Sequence, residues 1–445
     1  MKKWVSVLSV AGLGLTLAGC GEDKPDLTIT SFTDELQGPI DKFEEINDVT
    51  VELQIIPTAD YRQTMQPTLE SGDGAPDIFT GEIAYMQQWL NADYWTDLSA
   101  EPYNVTEWED EYVDYVYDLG KDEDGNVRAM SWQTTPGGIY YRRSIAKEVL
   151  GTDDPKEVGA MMSNMDDLFE VGAKMKEAGY ALFPDEGSIS KFTSFATGGS
   201  DPQPWVNEDN ELVVTDERLS YFDYAKTLRD EQYTALAPAW SPSWYESFNG
   251  PINYNMGWEE LEGEAATAAE AEANSQIEVF SVALPTWALD AVFKQSSNAN
   301  AGDWAVTNGP SSYFEGGTWL GVYEGSENKD LAFKFVEMMV HDEEFLTERA
   351  LETGDVLSYK PVTEAIKDDM SDDFLGGQNH YEFFLEEAEK IDANVVTPYD
   401  QQLNELFGTQ VGAYVEGEIS KEEGVQEFYN QVNNAFPDIV TPDEK

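Results

Sequence analysis

Between Leu27 and Glu82 the apolar residues alternate between the period of a strand and the period of a helix. Leu27-Thr28-Ile29-Thr30-Ser31-Phe32 is a β-rich run, after which Ile40, Phe43 and Ile46 recur every three residues as on one helical face. Val49, Val51, Leu53 and Ile55 then alternate with Thr50, Glu52 and Gln54, the pattern of a strand wetted on one face near a sheet edge. A second helix from Asp60 puts Tyr61, Met65 and Leu69 on one stripe, and Pro67 predicts a kink in it. Gly72, Gly74 and Pro76 end that helix, and Ile78-Phe79 reads as a short buried strand whose carboxyl end carries Thr80, Gly81 and Glu82. This βαβαβ order argues for a parallel, doubly wound α/β sheet. In such sheets ligands bind beyond the carboxyl ends of strands, where glycine permits close approach and a carboxylate accepts hydrogen bonds.

Further along, Ile83 to Leu90 reads as a short helix and Trp108 to Leu119 as an aromatic, acidic one. Asp122, Asp124 and Asn126 are spaced like the start of a calcium loop, but Val127 stands where glycine is needed, which predicts a hairpin turn. Val127 to Trp132 and Gly138 to Tyr141 read as strands around Gln133-Thr134-Thr135-Pro136-Gly137, a crossing between lobes. Ser163-x-x-Asp166 is a capping-box pattern ahead of Leu168, Val171, Met175 and Ala178, and Asn207 to Asn210 is a hairpin turn. Ile252 to Trp258 reads as a strand ending in Gly-Trp-Glu, and Ile277 to Leu284 as another, ending at Pro285-Thr286-Trp287. Trp319 lies in a strand introduced by Gly316-Gly317, and Ser326 can cap the helix carrying Leu331, Phe335, Met338 and Met339.

A chain of 445 residues is longer than one core usually serves, so at least two lobes are expected. Its first residues stand apart. Lys2 and Lys3 precede the apolar run Trp4 to Leu17, and Leu17-Ala18-Gly19-Cys20 has the form of a lipobox, with the single cysteine at its last position. Residues 1–19 are therefore a lipoprotein signal peptide, Cys20 the lipidated residue and 20–26 a tether. The expected location is extracytoplasmic, anchored by lipid to a bacterial membrane. The formal charge of −61 becomes two units more negative when Lys2 and Lys3 leave. Nucleic acid and anionic membrane surfaces are therefore poor partners. Such acidity fits a saline habitat, since salt screens self-repulsion, and equally a surface that keeps an exported domain soluble.

The order of these pieces resembles the extracytoplasmic solute-binding lipoproteins of ABC importers, in the group that binds sugars and oligosaccharides. The resemblance rests on the lipobox, Ser71-Gly72-Asp73-Gly74-Ala75-Pro76-Asp77-Ile78, Gly138-Ile139-Tyr140-Tyr141-Arg142-Arg143, Tyr254-Asn255-Met256-Gly257-Trp258, and Gly316-Gly317-Thr318-Trp319-Leu320-Gly321 with Ser326-Glu327-Asn328-Lys329. Arg142, where relatives commonly carry Asn, and Pro67 depart from it. The resemblance implies a two-lobed periplasmic-binding-protein-like fold with a ligand cleft between the lobes. Residues 27–135 and 285–340 would form the first lobe, and 136–284 and 341–445 the second. Crossings would fall near Gln133 to Gly137, Ala283 to Trp287 and Val340 to Asp342. It further implies a carbohydrate ligand, permease subunits as partners and a monomer, with no cofactor and no metal.

Sugars fit the composition for a physical reason: a pyranose offers a C–H face for stacking and hydroxyl edges for planar polar groups. The candidate contacts are Asp34, Glu82, Gln133, Trp240, Trp244, Trp258, Glu259, Trp287 and Trp319. An exported lipoprotein hydrolase, such as a glycosidase using two carboxylates, is the alternative, and an adhesive surface protein a third. Only His341 and His380 occur, without H-E-x-x-H spacing and in acidic helical segments where solvated surface is expected. No G-x-S-x-G elbow, phosphate-binding loop or dinucleotide fingerprint is present.

Overall fold

The computed structural model describes residues 24–194, 202–253, 276–296 and 300–442. Its first lobe is built on a sheet ordered β10-β3-β1-β2, with β1 at Leu27–Ser31, β2 at Val51–Ile55, β3 at Ile78–Glu82 and β10 at Thr318–Val322. β1 runs parallel to β2 and β3, and β10 runs antiparallel to β3. The βαβαβ expectation holds here, and β2 is the edge strand its alternating pattern indicated. The helix Gln37–Asn47 buries Ile40 and Phe43, whereas Ile46 is exposed. Pro67 sits inside a helix that continues from Thr58 to Ser71.

Asp77 ties this lobe together. Its carboxylate accepts from Thr28 N–H at 2.8 Å, Thr28 Oγ1 at 2.9 Å and Ser326 Oγ at 2.6 Å, so it joins β1, β3 and the approach to the helix Lys329–His341. Ser326 thus holds Asp77 and the Asn328 N–H, while Asn328 occupies the cap position. Gly81 answers to packing: a side chain there would meet Trp95 at 2.7 Å and Met86 at 2.9 Å.

The second lobe is centred on β4 (Gly137–Arg142), which pairs antiparallel with β8 (Ser281–Pro285) and β9 (Trp304–Thr307). A smaller sheet, β5 (Tyr180–Ala181), β7 (Gln276–Val279) and β6 (Ile252–Asn253), continues it. Phe280 and Ser281 N–H bond to Ala181 and Leu182, so β7 and β8 are one strand interrupted at Phe280. The doubly wound expectation therefore describes the first lobe, while the second is mixed and mostly antiparallel. The hairpin turns at Asp122–Asn126 and Asn207–Asn210 are as expected. The Asp122 carboxylate accepts from the Asp124 and Asn126 amides and from Arg128, filling the place a cation would take. The helix Met165–Ala178 is capped by Asn164 rather than Ser163.

Three segments meet at the junction of the lobes. Residues 131–137 lead from the first sheet into β4, residues 309–317 lead from β9 back to β10, and residues 353–358 lie alongside. Gly137 N–H bonds Tyr313 O at 2.8 Å, Thr134 N–H bonds Val356 O at 2.7 Å and Ser358 N–H bonds Trp132 O at 2.9 Å. Only the first of these crossings was expected. β8 and β9 share a sheet, so the chain does not cross near Ala283 to Trp287. Asp342 caps the helix Glu343–Thr353, which packs on Lys329–His341 within the first lobe. The expected division at 285–340 thus differs from the sheets, because β9 pairs with β4.

Candidate ligand-binding site

The carboxyl ends of β1 and β3 and the start of antiparallel β10 form one edge of the first sheet, facing the second lobe. Glu82 ends β3 opposite Thr318 and caps the helix Ile83–Leu90, its carboxylate accepting from Ala84 N–H at 3.0 Å. Burial pushes its pKa up to about 7; the Ala84 bond pulls it down and the nearby Glu315 carboxylate raises it. Gly316 (φ +69) and Gly317 (φ +113) precede Thr318 in a backbone region that other residues rarely adopt. A side chain at Gly316 would meet Trp287 Nε1 at 3.1 Å and Glu82 Oε1 at 3.9 Å, so the Glu82 carboxylate and the Trp287 indole both border the same patch of bare backbone.

The second lobe supplies the opposite wall. Trp287 follows β8 and donates its indole N–H to Glu315 O at 3.0 Å. Trp240 lies over it with ring centroids 6.1 Å apart and planes 19° apart, and is 50% exposed. Its φ of +67 is unusual for a bulky residue, a strain that aims a large apolar side chain towards solvent. Trp244, in the helix Pro242–Ser247, is buried and packs behind Trp240 at 4.8 Å. Lys191, after β5, closes a 2.5 Å ion pair with Glu315. A cavity of about 390 Å³ extends from Glu82, Glu315 and Gly316 towards Arg218, Asp400 and Asn404. Burial pushes Asp400 up to about 6, with Thr397 hydrogen bonds and the Arg218 charge opposing it. A larger recess of about 700 Å³ borders Asp114, Lys360, Lys367 and Glu386, away from the strand ends and the tryptophan pair.

Of the residues expected at the site, Glu82, Trp240 and Trp287 come together, with Trp244 behind them. Trp319 does not join them: it is buried in the first lobe, its indole N–H bonded to Val116 O at 3.2 Å. Register explains this, because a strand residue one step past Thr318 points to the other face of the sheet. Gln133 is buried in the crossing, with Oε1 lacking a partner. Asp34 is exposed, and its neighbour Glu35 instead accepts from Thr318 Oγ1 at 3.1 Å at the strand edge. Trp258, Glu259 and Cys20 lie outside the described residues.

Glu35, Lys191 and Glu315 were missed by sequence reasoning. Glu35 had a signal, since it is a carboxylate in the turn just past β1, near a strand end as Glu82 is; the other two depend on a contact spanning 124 positions. The histidines also differ from expectation. His380 is buried, and His341 stacks on Trp108 at 4.0 Å with its Nδ1 3.2 Å from the Tyr112 hydroxyl; burial lowers both pKa values. Among the described residues no group of His, Cys, Asp and Glu could hold a metal ion, and no helix is long and apolar enough to cross a membrane.

Two α/β lobes with strand ends meeting at a cleft define a binding-protein architecture. The chain belongs to the bacterial extracellular solute-binding proteins, whose family model matches residues 39–374. Solved structures share the fold at low identity. A family 1 extracellular solute-binding protein aligns with TM-score 0.72 and 17% identity, covering 92% of this chain and 99% of its own. The ABC-transporter-associated binding protein of B. animalis subsp. lactis, in complex with β-1,6-galactobiose, gives 0.70 and 19%, covering 92% and 97%. The sugar-binding protein MalE of Xanthomonas citri gives 0.67 and 15%, covering 92% and 96%. Comparison with curated proteins finds no match.

Proposed function

We propose that this protein captures a sugar or oligosaccharide outside the cytoplasmic membrane and delivers it to the permease subunits of an ABC importer. The observation that carries the reading is the Trp240–Trp287 pair beside the Glu82 carboxylate at the bare backbone of Gly316. An indole face suits the C–H face of a pyranose, and the Glu82 carboxylate, which accepts from Ala84 N–H, can also accept from hydroxyl groups. The β-1,6-galactobiose in complex with the B. animalis subsp. lactis protein is in keeping with this chemistry. Trp258 and Glu259 are proposed as additional walls and Cys20 as the lipid anchor of a monomer. Binding, rather than hydrolysis, is the activity.

Tryptophan fluorescence titrated with a panel of mono- and oligosaccharides, followed by calorimetry, tests the reading. A saturable change with at least one sugar is expected; no response to any of them would overturn it. Cys20→Ser should abolish lipid labelling and release the protein from membranes, and continued retention would refute the anchor.

A further inference from the structure

Three successive main-chain carbonyls of the first lobe are held by side chains of the second. Lys294 Nζ donates to Thr353 O at 3.3 Å, His380 Nε2 lies 2.8 Å from Gly354 O, and the Tyr381 hydroxyl donates to Asp355 O. A carbonyl only accepts, so Nε2 carries the His380 proton. The Thr353 carbonyl is available because the helix Glu343–Thr353 ends at Gly354 (φ +81) and the last turn of a helix leaves its acceptors unpaired, while those of Gly354 and Asp355 lie just beyond the helix. Lys294 also pairs with Asp372 at 2.9 Å. From Val356 onward the same segment bonds the crossing strand 131–134, so residues 353–358 are where the second lobe grips the first.

Arg349 joins this turn to the cleft edge. Its Nη2 is 2.9 Å from Asp355 Oδ2 and 3.7 Å from Glu35 Oε2, and its guanidinium lies 5.2 Å over the Trp132 ring. Arg349 and Asp355 side chains are 8% and 9% exposed, while that of Glu35 is 30% exposed at the strand edge. We infer that Arg349 is a positioning residue of the cleft: it sets the charge and aim of Glu35 and, through Asp355, ties that carboxylate to the turn held by the second lobe. This rests on reading the cleft as the ligand site. A ligand hydroxyl that donates to Glu35 then alters how Arg349 is shared between Glu35 and Asp355, and the change reaches the interlobe contact. Coupling of this kind is reciprocal, so a change at the turn alters affinity by the same factor.

The charged groups facing Glu35 are Arg349, Asp355 and Asp34. Burial pushes its pKa up to about 7, Arg349 and the Thr318 bond pull it down, and Asp355 and Asp34 push it up. Removing Arg349 must raise it further, whereas an arginine that only supported the fold would leave it in place. The test is a 13C titration of the Glu35 carboxyl in the ligand-free protein, assigned by difference from Glu35→Gln. A midpoint near neutral pH is expected, higher by about one pH unit in Arg349→Met, a tenfold change in proton affinity. Arg349→Lys keeps a charge beside Asp355 but replaces the rigid planar guanidinium, whose Nη2 lies near both acids, with a flexible ammonium; its midpoint should fall between, and it serves if Arg349→Met does not fold. An unmoved midpoint in the folded variant overturns the positioning role. Hydrogen exchange at residues 353–358, with the best sugar of the panel at saturation, tests the coupling. Protection should rise on binding in the wild type and not in Glu35→Gln; an equal rise in both overturns it. A panel without any binding sugar would sink the proposed function and the coupling, while the titration would still decide the role of Arg349.

Discussion

In the first lobe Trp89, Trp95, Trp132 and Trp319 are at most 1% exposed, and the polar groups at the cleft edge are carboxylates at or just beyond strand ends: Glu82 closes β3, and Glu35 lies in the turn after β1. In the second lobe Trp240 is half exposed, Trp287 lies against it, and both come from irregular stretches beyond strand or helix ends. The difference follows from backbone geometry. The central strands of the first sheet are covered on both faces, which takes the rings packed over them into the core and leaves the strand termini for polar groups. Longer connections, free of ladder pairing, can present a ring face to solvent, at the cost of strained backbone such as that of Trp240.

Exchanging the two kinds of tryptophan for alanine is the strongest way to break this comparison. Trp319→Ala should cost about 3–5 kcal/mol of stability, as for other large core truncations, and be read as a large fall in thermal midpoint. Trp240→Ala should leave the midpoint within a few degrees yet weaken sugar binding about 30-fold, close to the 2 kcal/mol of an interface hot spot. Calorimetry of both variants decides it. A stable Trp319→Ala with lost affinity, or an unstable Trp240→Ala, would mean that core and wall have been exchanged. Next in size, Glu82→Gln should weaken binding about tenfold without unfolding the chain, since a hydrogen bond to a charged group is worth about 1.5–3 kcal/mol. Unchanged affinity would remove Glu82 from the ligand and leave its carboxylate as a helix cap alone.

What the residue pattern revealed and what it hid follow the same division. The βαβαβ start, the edge position of β2, the hairpin turns and Glu82 at a strand end were legible, because each depends on periodicity or turn chemistry within a short window. Trp319 misled because the glycine pair before it suggests openness, while the alternation that points its side chain into the core depends on where pairing with β3 begins. Lobe boundaries were hidden for a related reason: the antiparallel union of β9 with β4 leaves no local mark in Trp304–Thr307. Glu35, Arg349 and Asp355 meet across more than 300 positions, a distance over which spacing carries no signal.

The smallest expected effect concerns pH and salt, and it separates the buried carboxylates from the acidic surface. Glu35, Glu82 and Asp185 are each pushed up to about 7, above all by burial, so the folded chain holds their protons where the unfolded chain has lost them. Between about pH 4.5 and 7 the native state therefore binds more protons than the unfolded one, and stability must fall as pH rises through that window. The charge of −61 acts in the same direction, since each further ionisation adds to self-repulsion. Salt distinguishes the two. At about 2 M KCl exposed charges are screened within about 3 Å or less, whereas groups buried at the strand ends are screened far less. The thermal midpoint at pH 8 should accordingly climb between about 0.1 and 2 M KCl, and a smaller fall from pH 5 to pH 8 should persist at the higher salt. Glu82→Gln should reduce that residual fall by removing one titrating group. A midpoint indifferent to salt would show that surface repulsion does not limit stability and remove the case for adaptation to brine. A pH dependence abolished by salt would show that these carboxylates titrate as solvent-exposed groups.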